Sequence, residues 1–477
     1  MNSKYEIVIG LEVHVELATE TKLFCACSAK FGADANENIC PACMGMPGSI
    51  PALNERAVEL GIAAALVTNS RIANVMSFDK KNYFYPDSPA AYQTTQNFAP
   101  ICTDGWVEID TNGGQRRITL KQIHIEEDAG KLAHERRVSL VDFNRTSVPL
   151  VEIVSNPDFH SAEEVVAYLE KLRSLLVFAE VSDCKMQEGS MRCDVNISVR
   201  LRGSQTLGTR TEIKNMNSLK AIVAAIEYEA QRHIDALETK TEQLVQETRG
   251  WNDDIGETFS MREKEAAADY RYFPHPDIPP VIIDEAWIET IRTRLPEPAH
   301  VKFARMTGEL GLSEYDSGII TRSKNLSDIF DETMQHFARP KEIVNWIITE
   351  LLSIAKGDNK GEDDVRIDCK KFAVIMQLTD DKTINRAVAK KLLHEVWQNN
   401  IDPVAYIEEN QLGMVSDTGL LDEAIAAVMT AQAATVAQCR AGDLKKFNFL
   451  VGQVMRKLAG KADPQTVNQL LKEKLTE

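Results

Sequence analysis

The sequence has no long hydrophobic run. No apolar stretch in its 477 residues approaches the roughly 20 residues that a membrane-spanning helix requires. The first 17 residues read as a strand and do not show the charged-then-apolar order of a signal peptide. These absences predict a cytoplasmic protein with no membrane partner.

The sequence also lacks an excess of positive charge. It has 54 Lys and Arg against 71 Asp and Glu, a formal net charge of −17, which excludes a uniformly basic nucleic-acid-binding protein. A local basic patch is still compatible with this balance. Residues 441–477 hold seven Lys and Arg and four Asp and Glu, a net charge of +3. This reversal fits a tail that faces nucleic acid, and a solvated helix face explains it equally well.

The two common glycine-rich phosphate-binding motifs are missing as well. The chain contains neither G-x-x-x-x-G-K-[ST] nor a strand-linked G-x-G-x-x-G. Residues 78–87, FDKKNYFYPD, place aromatic side chains among charges and end in a turn. In this segment Lys80, Lys81, Tyr83 and Tyr85 could line a nucleotide or phosphate site, and a packed loop is the alternative. Residues 269–274, DYRYFP, have the same character.

Strand and helix signals are mixed in the first part of the chain. Alternating apolar and polar residues predict strands at 6–17, 106–110 and 117–120, and the last two flank the turn signal Asn112-Gly113-Gly114. Helices, one of them expected from about residue 218 to residue 237, interrupt the strands without regular alternation. This pattern favours an α+β fold over a doubly wound parallel sheet.

Strand signals in the sequence fade after Pro296. From there amphipathic helices dominate, and a further compositional shift follows near residue 410. A chain of this length corresponds to about three domains at roughly 150 residues each. We therefore expect a domain with a mixed or antiparallel sheet at residues 1–295, an all-helical domain at 296–409 and a helical tail domain at 410–477.

The nine cysteines are unevenly placed, and four of them cluster near the N-terminus. Cys25 and Cys27 form a C-x-C half, and Cys40 and Cys43 form a C-x2-C half with the spacing of ordinary zinc sites. In a reducing cytosol a disulfide framework is not expected, whereas four thiolates suffice for a closed, structural zinc site. Four unliganded or redox-active thiols are the alternative.

Acidic and histidine side chains follow the polar faces of three predicted strands. Because side chains alternate between faces, Glu12 and His14 point away from the apolar side of the first strand. Glu126 and Glu127 end a second strand-like run, and Asp194 lies on the polar face of a third. If these strands are neighbours, the side chains converge on a cleft whose oxygen ligands suit Mg²⁺. The alternative is a polar sheet face that meets solvent.

Long motifs follow one another along essentially the whole chain. They are IGLEVHVEL (9–17), DKKNYFYPDSPAAYQ (79–93), HIEEDAGK (124–131), NRTSVPLVEIVSNPD (144–158), EGSMRCDVNIS (188–198), TEIKNMNS (211–218), QETR (246–249), DYRYFPHPD (269–277), FLVGQVM (449–455) and VNQLL (467–471). Together they resemble the GatB family, the B subunits of the aspartyl/glutamyl-tRNA(Asn/Gln) amidotransferases. So many motifs in one order make the resemblance very specific.

The resemblance implies part of a ligase that uses glutamine as amide donor and corrects misacylated tRNA. Glutamate on glutamine tRNA, or aspartate on asparagine tRNA, is phosphorylated by ATP on its side-chain carboxyl, and ammonia then displaces the phosphate. A partner amidase releases that ammonia, and a small third protein ties the amidase to this chain in a heterotrimer. The implied fold is a cradle-shaped α+β domain, a helical domain and a helical tail that contacts the tRNA.

The resemblance also implies roles for individual residues. The residues it places around a catalytic Mg²⁺ are Glu12, His14, Glu126 and Glu127, with Asp194 and Glu212 as weaker candidates. The residues it suggests for holding ATP or the tRNA 3′ end are Lys81, Tyr83, Tyr85 and Arg271, for which packing in the core or in a loop is the alternative. Zinc held by Cys25, Cys27, Cys40 and Cys43 would brace the N-terminal fold rather than catalyse.

Three positions depart from the usual family pattern. Ala90 stands where a lysine is common, so a phosphate contact from that lysine is absent here or replaced. Gln187 stands where a glutamate is common and removes one charge near the site, and Ser147 replaces a usual glycine. None of these departures removes an expected Mg²⁺ ligand.

Two other functions compete with this interpretation. A non-catalytic tRNA-binding scaffold of the same complex would have no need of buried carboxylates, which are costly to gather without a cation. An ATP-dependent ligase that acts on a small molecule without tRNA is disfavoured by the tail motifs. The chain has no room for the large inserted domain of an archaeal relative that serves glutamate alone, which favours the bacterial type.

Overall fold

The computed structural model describes residues 4–240, 243–263, 267–414, 418–440, 444–458 and 462–476. The chain forms two compact units, Met1–Pro298 and Ala299–Glu477. Some residues of two predicted segments lie outside the described ranges: residues 1–3 of the N-terminal strand, and residues 441–443, 459–461 and 477 of the basic tail segment.

The first unit is built on strands. Those described are β1 Tyr5–Glu16, β2 Arg71–Ile72, β3 Val75–Met76, β4 Asp79–Asn82, β5 Tyr92–Thr95, β6 Cys102–Thr111, β7 Gly114–Glu127, β8 Lys131–Glu135, β9 Val138–Asp142, β10 Pro149–Ser155, β11 Met191–Leu201, β12 Thr211–Lys214, β13 Glu247–Asn252, β14 Glu257–Glu263, β15 Phe273–Pro274 and β16 Val281–Ile282. One large sheet has the order β14-β13-β12-β11-β1-β10-β7-β6-β2. Its neighbours are antiparallel except β12 and β13, which are parallel. The predicted α+β class with a mixed sheet is confirmed.

Short-range sequence signals account for the central strands. The alternation at residues 6–17 corresponds to β1, where Val13 and Val15 are fully buried. The turn signal after residue 111 joins β6 to β7, which pair antiparallel from Cys102 to Thr111. Gly114 begins β7 with a positive φ of 105°, a conformation that glycine adopts without strain.

Four α-helices accompany the strands in the described part of this unit: α1 Glu55–Val67, α2 Ala162–Phe178, α3 Leu219–Thr239 and α4 Glu285–Arg294. Serine caps start two of them, because Ser161 and Ser218 accept hydrogen bonds from backbone N–H groups three residues later. Apolar residues of α1, α2 and α3 join the apolar side chains of β1, β7, β10 and β11 in one core. The polar side chains of these strands therefore point to the opposite face of the sheet.

The described residues of the second unit form helices joined by loops, with no strand among them. Its helices are α5 Ala299–Gly308, α6 Glu314–Arg322, α7 Lys324–Met334, α8 Pro340–Trp346, α9 Leu352–Gly357, α10 Cys369–Asp380, α11 Arg386–Asn399, α12 Pro403–Glu409, α13 Thr418–Ala431, α14 Ala433–Arg440, α15 Leu444–Lys457 and α16 Pro464–Thr476. A π-helical turn, Ile347–Leu351, joins α8 to α9. Buried apolar residues form one cluster between Met306 and Ile407 and another between Leu421 and Leu471.

No single helix in the described ranges is long and apolar enough to cross a membrane. The pair α13 and α14 reaches the required length and composition only when taken together, and the two helices are bent by 95° at their junction. Leu421, Ile425 and Val436 of this pair are buried in the cluster that α15 and α16 complete.

Candidate functional site

Three neighbouring strands bring two histidines and two carboxylates together on the polar face of the large sheet. His14 on β1 lies opposite Glu152 on β10, which in turn lies opposite His124 on β7. Glu152 Oε2 is 3.5 Å from His14 Nε2 and 3.1 Å from His124 Nε2. Glu126 Oε1 lies 3.8 Å from His14 Nε2, and its Oε2 accepts a 3.0 Å hydrogen bond from Thr95 Oγ1. We call His14, Glu126 and Glu152 the histidine–carboxylate group.

A second group lies next to it on β1, β11 and β12. Glu12 is directly opposite Asp194, and Glu212 follows on the next strand. Lys214 bonds to Asp194, and its Nζ lies 3.4 Å from Glu212 Oε1. Burial, with the nearby charges of the other carboxylates, raises the pKa of Glu12. We call Glu12, Asp194 and Glu212 the acidic group.

The carboxylates around the two histidines raise the pKa of both rings. Burial opposes protonation of His14, but its hydrogen bond to Glu152 and the charges of Glu152 and Glu126 raise its pKa. Burial also opposes protonation of His124, and the charge of Glu152 with hydrogen bonds to both carboxylates outweighs it, which raises the pKa to about 10. Burial alone would raise the pKa of Glu152, but His124 and His14 lower it well below its ordinary value.

Both groups fit a divalent cation that prefers oxygen ligands. In each group, three ligand atoms lie within 4.8 Å of one another. Carboxylate oxygens suit Mg²⁺, which keeps several waters and bridges phosphates. Burial and then the neighbouring carboxylates raise the pKa of Glu12, and a bound cation would favour its charged form. The donor chemistry and spacing are thus those of a site for one or two such ions.

The structure distributes the predicted Mg²⁺ ligands between these groups. His14 and Glu126 fall in the histidine–carboxylate group, and Glu12 lies in the acidic group with Asp194 and Glu212. Glu127 belongs to neither. It follows Glu126 on β7 and accepts a 2.8 Å hydrogen bond from the Thr94 N–H.

Two residues of the site were not identified from the sequence. Glu152 lies between Val151 and Ile153, which are fully buried, so period-two alternation alone puts it on the polar face. His124 lies two residues before Glu126 and shares its face for the same reason. The sequence alone does not predict that β10 lies between β1 and β7.

All four residues suggested for ATP or the tRNA 3′ end line one cleft of about 820 Å³ in the first unit. They are Lys81, Tyr83, Tyr85 and Arg271, and Lys214, which bonds to the acidic group, joins them. Burial opposes the charge of Lys81, but Glu126, Glu152 and two nearby tyrosines together outweigh it and raise the pKa of Lys81. The Lys81 Nζ also lies 5.0 Å from the centre of the Tyr270 ring. The cleft thus combines cations with aromatic rings beside the two carboxylate groups.

The four clustered cysteines are brought together as predicted, and all are free of disulfides. Their sulfurs lie within 4.8 Å of one another, and Cys40 Sγ is 3.9 Å from Cys43 Sγ. Zn–S bonds of about 2.3 Å place the sulfurs of a tetrahedral site about 3.8 Å apart. The hydrogen bond with the Cys25 thiol, helped by the Cys40 backbone and the charge of Lys22, lowers the pKa of Cys43 to about 5. The cluster therefore fits zinc.

Comparisons with known proteins cover most of the chain. Residues 7–289 match the family model described as the GatB/GatE catalytic domain, and residues 328–475 match the model described as the GatB domain. The sheet-bearing unit thus corresponds to a catalytic domain, and both carboxylate groups lie inside it.

Relatives that align over nearly their whole length identify the family more specifically. The B subunit of the aspartyl/glutamyl-tRNA(Asn/Gln) amidotransferase of Lachnoclostridium phytofermentans is 49% identical over 474 residues, 99% of this chain and 99% of that protein. The equivalent protein of Caldicellulosiruptor bescii is 48% identical and that of Carboxydothermus hydrogenoformans 44%, each over 477 residues, again 99% of both chains. The chain belongs to the family of aspartyl/glutamyl-tRNA(Asn/Gln) amidotransferase B subunits, as its motifs predict.

Proposed function

We propose that this chain is the kinase and transamidase component of a tRNA-dependent amidotransferase, a ligase that forms a carbon–nitrogen bond. The γ-phosphoryl group of ATP passes to a side-chain carboxylate oxygen of glutamate on glutamine tRNA, or of aspartate on asparagine tRNA, and ADP leaves. Ammonia attacks the carbonyl carbon, the bond to the phosphate oxygen breaks, and an amide forms as the nitrogen gives up a proton. The names of the relatives support the substrate class.

One observation carries the proposal: two groups of carboxylates with cation spacing lie side by side, next to a cleft lined by lysines and tyrosines. Phosphoryl transfer depends mainly on positioning and charge neutralisation. Mg²⁺ held by the two groups would neutralise phosphate oxygens. Lys81 and Lys214 are placed to add positive charge where the cleft meets the carboxylates.

The remaining contacts hold this arrangement in place. Glu152 fixes both His14 and His124 through the same carboxylate oxygen. Thr95 orients Glu126 by a hydrogen bond to its Oε2 atom, and Thr248 does the same for Glu212 Oε2 at 2.7 Å. These supports keep the donor atoms aimed at one region of the polar sheet face, as preorganised electrostatic stabilisation requires.

The partners follow from the same proposal. The relatives are named as one component of a multi-subunit enzyme. We infer a heterotrimer with an amidase that supplies ammonia and a small third protein, acting on misacylated tRNA in the cytoplasm. The net positive segment 441–477 supports contact of the tail with the tRNA backbone. A zinc ion at Cys25, Cys27, Cys40 and Cys43 would have a structural role, because four protein ligands leave no position for substrate.

The test uses the complex reconstituted from all three proteins with ATP, Mg²⁺ and glutamate-charged glutamine tRNA. Ammonium chloride replaces glutamine, so that the partner's amidase activity is not needed. We expect Glu126→Gln to reduce both ADP release and amidation at least about a hundredfold while tRNA binding persists, because a buried ligand charge is lost.

The matched control is Glu108→Gln, which makes the same chemical change at an exposed position of β6 in the same sheet. This variant should retain wild-type rates. Undiminished ADP release and amidation in Glu126→Gln would contradict the proposal and favour a tRNA-binding scaffold whose catalytic site lies on another protein of the complex.

A further inference from the structure

Lys22 is a fully buried lysine beside the cysteine cluster. Its residue exposure is 0%. The Nζ atom lies 3.7 Å from Cys43 Sγ and donates a 3.2 Å hydrogen bond to the carbonyl oxygen of Phe143. These are its side-chain partners among the described residues, and neither is a carboxylate.

A buried ammonium group needs a compensating negative charge. Removing an unpaired charge from water is strongly unfavourable even after the protein relaxes. The backbone carbonyl of Phe143 can accept a hydrogen bond, but it does not supply that charge, whereas a Cys43 thiolate does. Four thiolates around Zn²⁺ do supply it, because the loaded site carries a net negative charge of two.

We propose that Lys22 is the counter-ion of the zinc–thiolate cluster. Its ammonium group donates a hydrogen bond to the Cys43 thiolate and stabilises the zinc-loaded state relative to the metal-free state. Lys22 is a positioning residue, since it acts through a ligand and does not itself bind the metal. The inference rests on the proposed zinc site and is independent of the proposed kinase activity.

The contact is directed at the least exposed of the four cysteine residues. Cys43 is buried, with 6% exposure, whereas Cys25, Cys27 and Cys40 are partly exposed. Water therefore has less access to the Cys43 residue than to the other three. The Cys40 backbone N–H, 3.2 Å away, and Lys22 replace water at Cys43.

The main chain of Lys22 fixes this geometry. Its N–H donates a 3.0 Å hydrogen bond to the carbonyl oxygen of Cys27, in the first half of the cluster. Its side chain reaches Cys43, in the second half. The Phe143 backbone that receives the ammonium group is itself held, because its N–H donates a 2.8 Å hydrogen bond to Asn36. Lys22 therefore ties both cysteine pairs to the segment that follows β9.

Loss of zinc should affect the wild type and a neutral variant differently. Without zinc the net negative charge of two on the loaded cluster is lost, so the buried Lys22 ammonium stabilises the metal-free chain less than the zinc-loaded chain. In Lys22→Met the side chain keeps its approximate length without the charge. Removing zinc should then lower the melting temperature of the variant by less than that of the wild type.

The experiment compares the full-length wild type with Lys22→Met and with Lys30→Met, a control at an exposed lysine of the same segment. Zinc affinity is measured by competition with a chelator, and cobalt-substituted protein gives the thiolate-to-metal charge-transfer band.

We expect Lys22→Met to weaken zinc binding at least about tenfold, the usual effect of losing an outer contact to a ligand. The charge-transfer band should move to lower energy, because the sulfur loses a hydrogen-bond donor. Lys30→Met should change neither.

Unchanged zinc affinity together with an unchanged charge-transfer band in Lys22→Met would overturn the inference and make Lys22 a packing residue. If that variant does not fold, Lys22→Gln keeps a donor for the Phe143 carbonyl without the charge, and wild-type affinity there would overturn it equally. A wild-type chain that takes up no zinc would refute both the zinc site and the role of Lys22. ADP release by the complex would still test the kinase proposal on its own.

Discussion

Glu152 contacts both histidines on the polar face of the large sheet. One of its oxygens contacts the imidazole of His14 and that of His124, and its carboxylate is also a candidate metal ligand. Substitution there removes the charge that favours protonation of both rings as well as one ligand. The effects on metal binding and on histidine orientation should therefore appear together.

For Glu152→Gln we expect the Mg²⁺ concentration that gives half-maximal ADP release to rise at least about tenfold, the usual minimum for disturbing the shell of a metal site. Excess Mg²⁺ should restore part of the rate, because the remaining ligands are still in place. The measurement is ADP release by the reconstituted complex as Mg²⁺ is varied. The Glu108→Gln control should keep the wild-type midpoint, and an unshifted midpoint in Glu152→Gln would exclude the carboxylate as a ligand.

Local spacing in the sequence was enough to predict where some of these residues lie, but not where others lie. The cysteine cluster could be predicted because its members are close in sequence. Four thiolates at such spacing are sufficient ligands for a structural zinc ion. Glu12 and His14 could be assigned to a polar face from strand alternation alone. Glu152 could not be assigned to their site, because its role depends on β10 lying between β1 and β7, and pairing order is a long-range property of the sheet.

At the scale of elements, a buried ionic network joins α3 to β13 and β14. Glu229 on α3 has a fully buried side chain, with Arg232 Nη2 at 2.9 Å and Arg249 Nε at 3.1 Å. Burial alone would raise the pKa of Glu229, but hydrogen bonds from His233, Arg232 and Thr258 lower it to about 2. The network holds the outer strands of the sheet to the helix that covers them.

This network makes the stability of the first unit depend on pH. The pKa of Glu229 falls from its ordinary value of 4.5 to about 2 on folding. Its contribution, roughly 3 kcal/mol by linkage, is therefore complete above pH 4.5 and is lost as the pH falls towards 2. We expect Glu229→Gln to be less stable than the wild type at pH 7 by about that amount, and the difference to shrink below pH 4.5.

Urea denaturation of the two proteins between pH 7 and pH 3 measures this difference. Glu227→Gln is the matched control, because Glu227 lies on the same helix and is exposed. That variant should follow the wild type at each pH. A difference between wild type and Glu229→Gln that stays constant across the range would show that the Glu229 carboxylate does not titrate as the network requires.

Elements with strong local signals were predicted closely. The helix expected at about residues 218–237 is α3, Leu219–Thr239, with Ser218 as its cap. The hairpin around Asn112-Gly113-Gly114 is β6 and β7. Short strands such as β2, β3, β15 and β16 have only two residues each, and no period can be read from so few positions.

At the scale of the whole molecule, the main clusters of buried apolar residues in the described chain each belong to one unit. The largest lies between Ile7 and Ile291, the next between Met306 and Ile407, and a third between Leu421 and Leu471. The domain boundaries predicted at 295/296 and 409/410 fall in the intervals between these clusters. The boundaries are still predictions, because a cluster of side chains does not by itself show an independently folding domain.

Calorimetry of the full-length chain tests them. If each cluster is a cooperative unit, heating should give up to three transitions, and a cavity in one cluster should shift one of them. Phe372 on α10 is fully buried in the second cluster, so Phe372→Ala should cost about 3–5 kcal/mol and lower one melting temperature by on the order of 10 °C. Tyr315→Ala, at a 74% exposed position of α6, is the control.

Glu229→Gln should move a different transition, because distant sites contribute independently. If both substitutions instead shift every transition together, the chain unfolds as one cooperative body and the predicted boundaries are wrong.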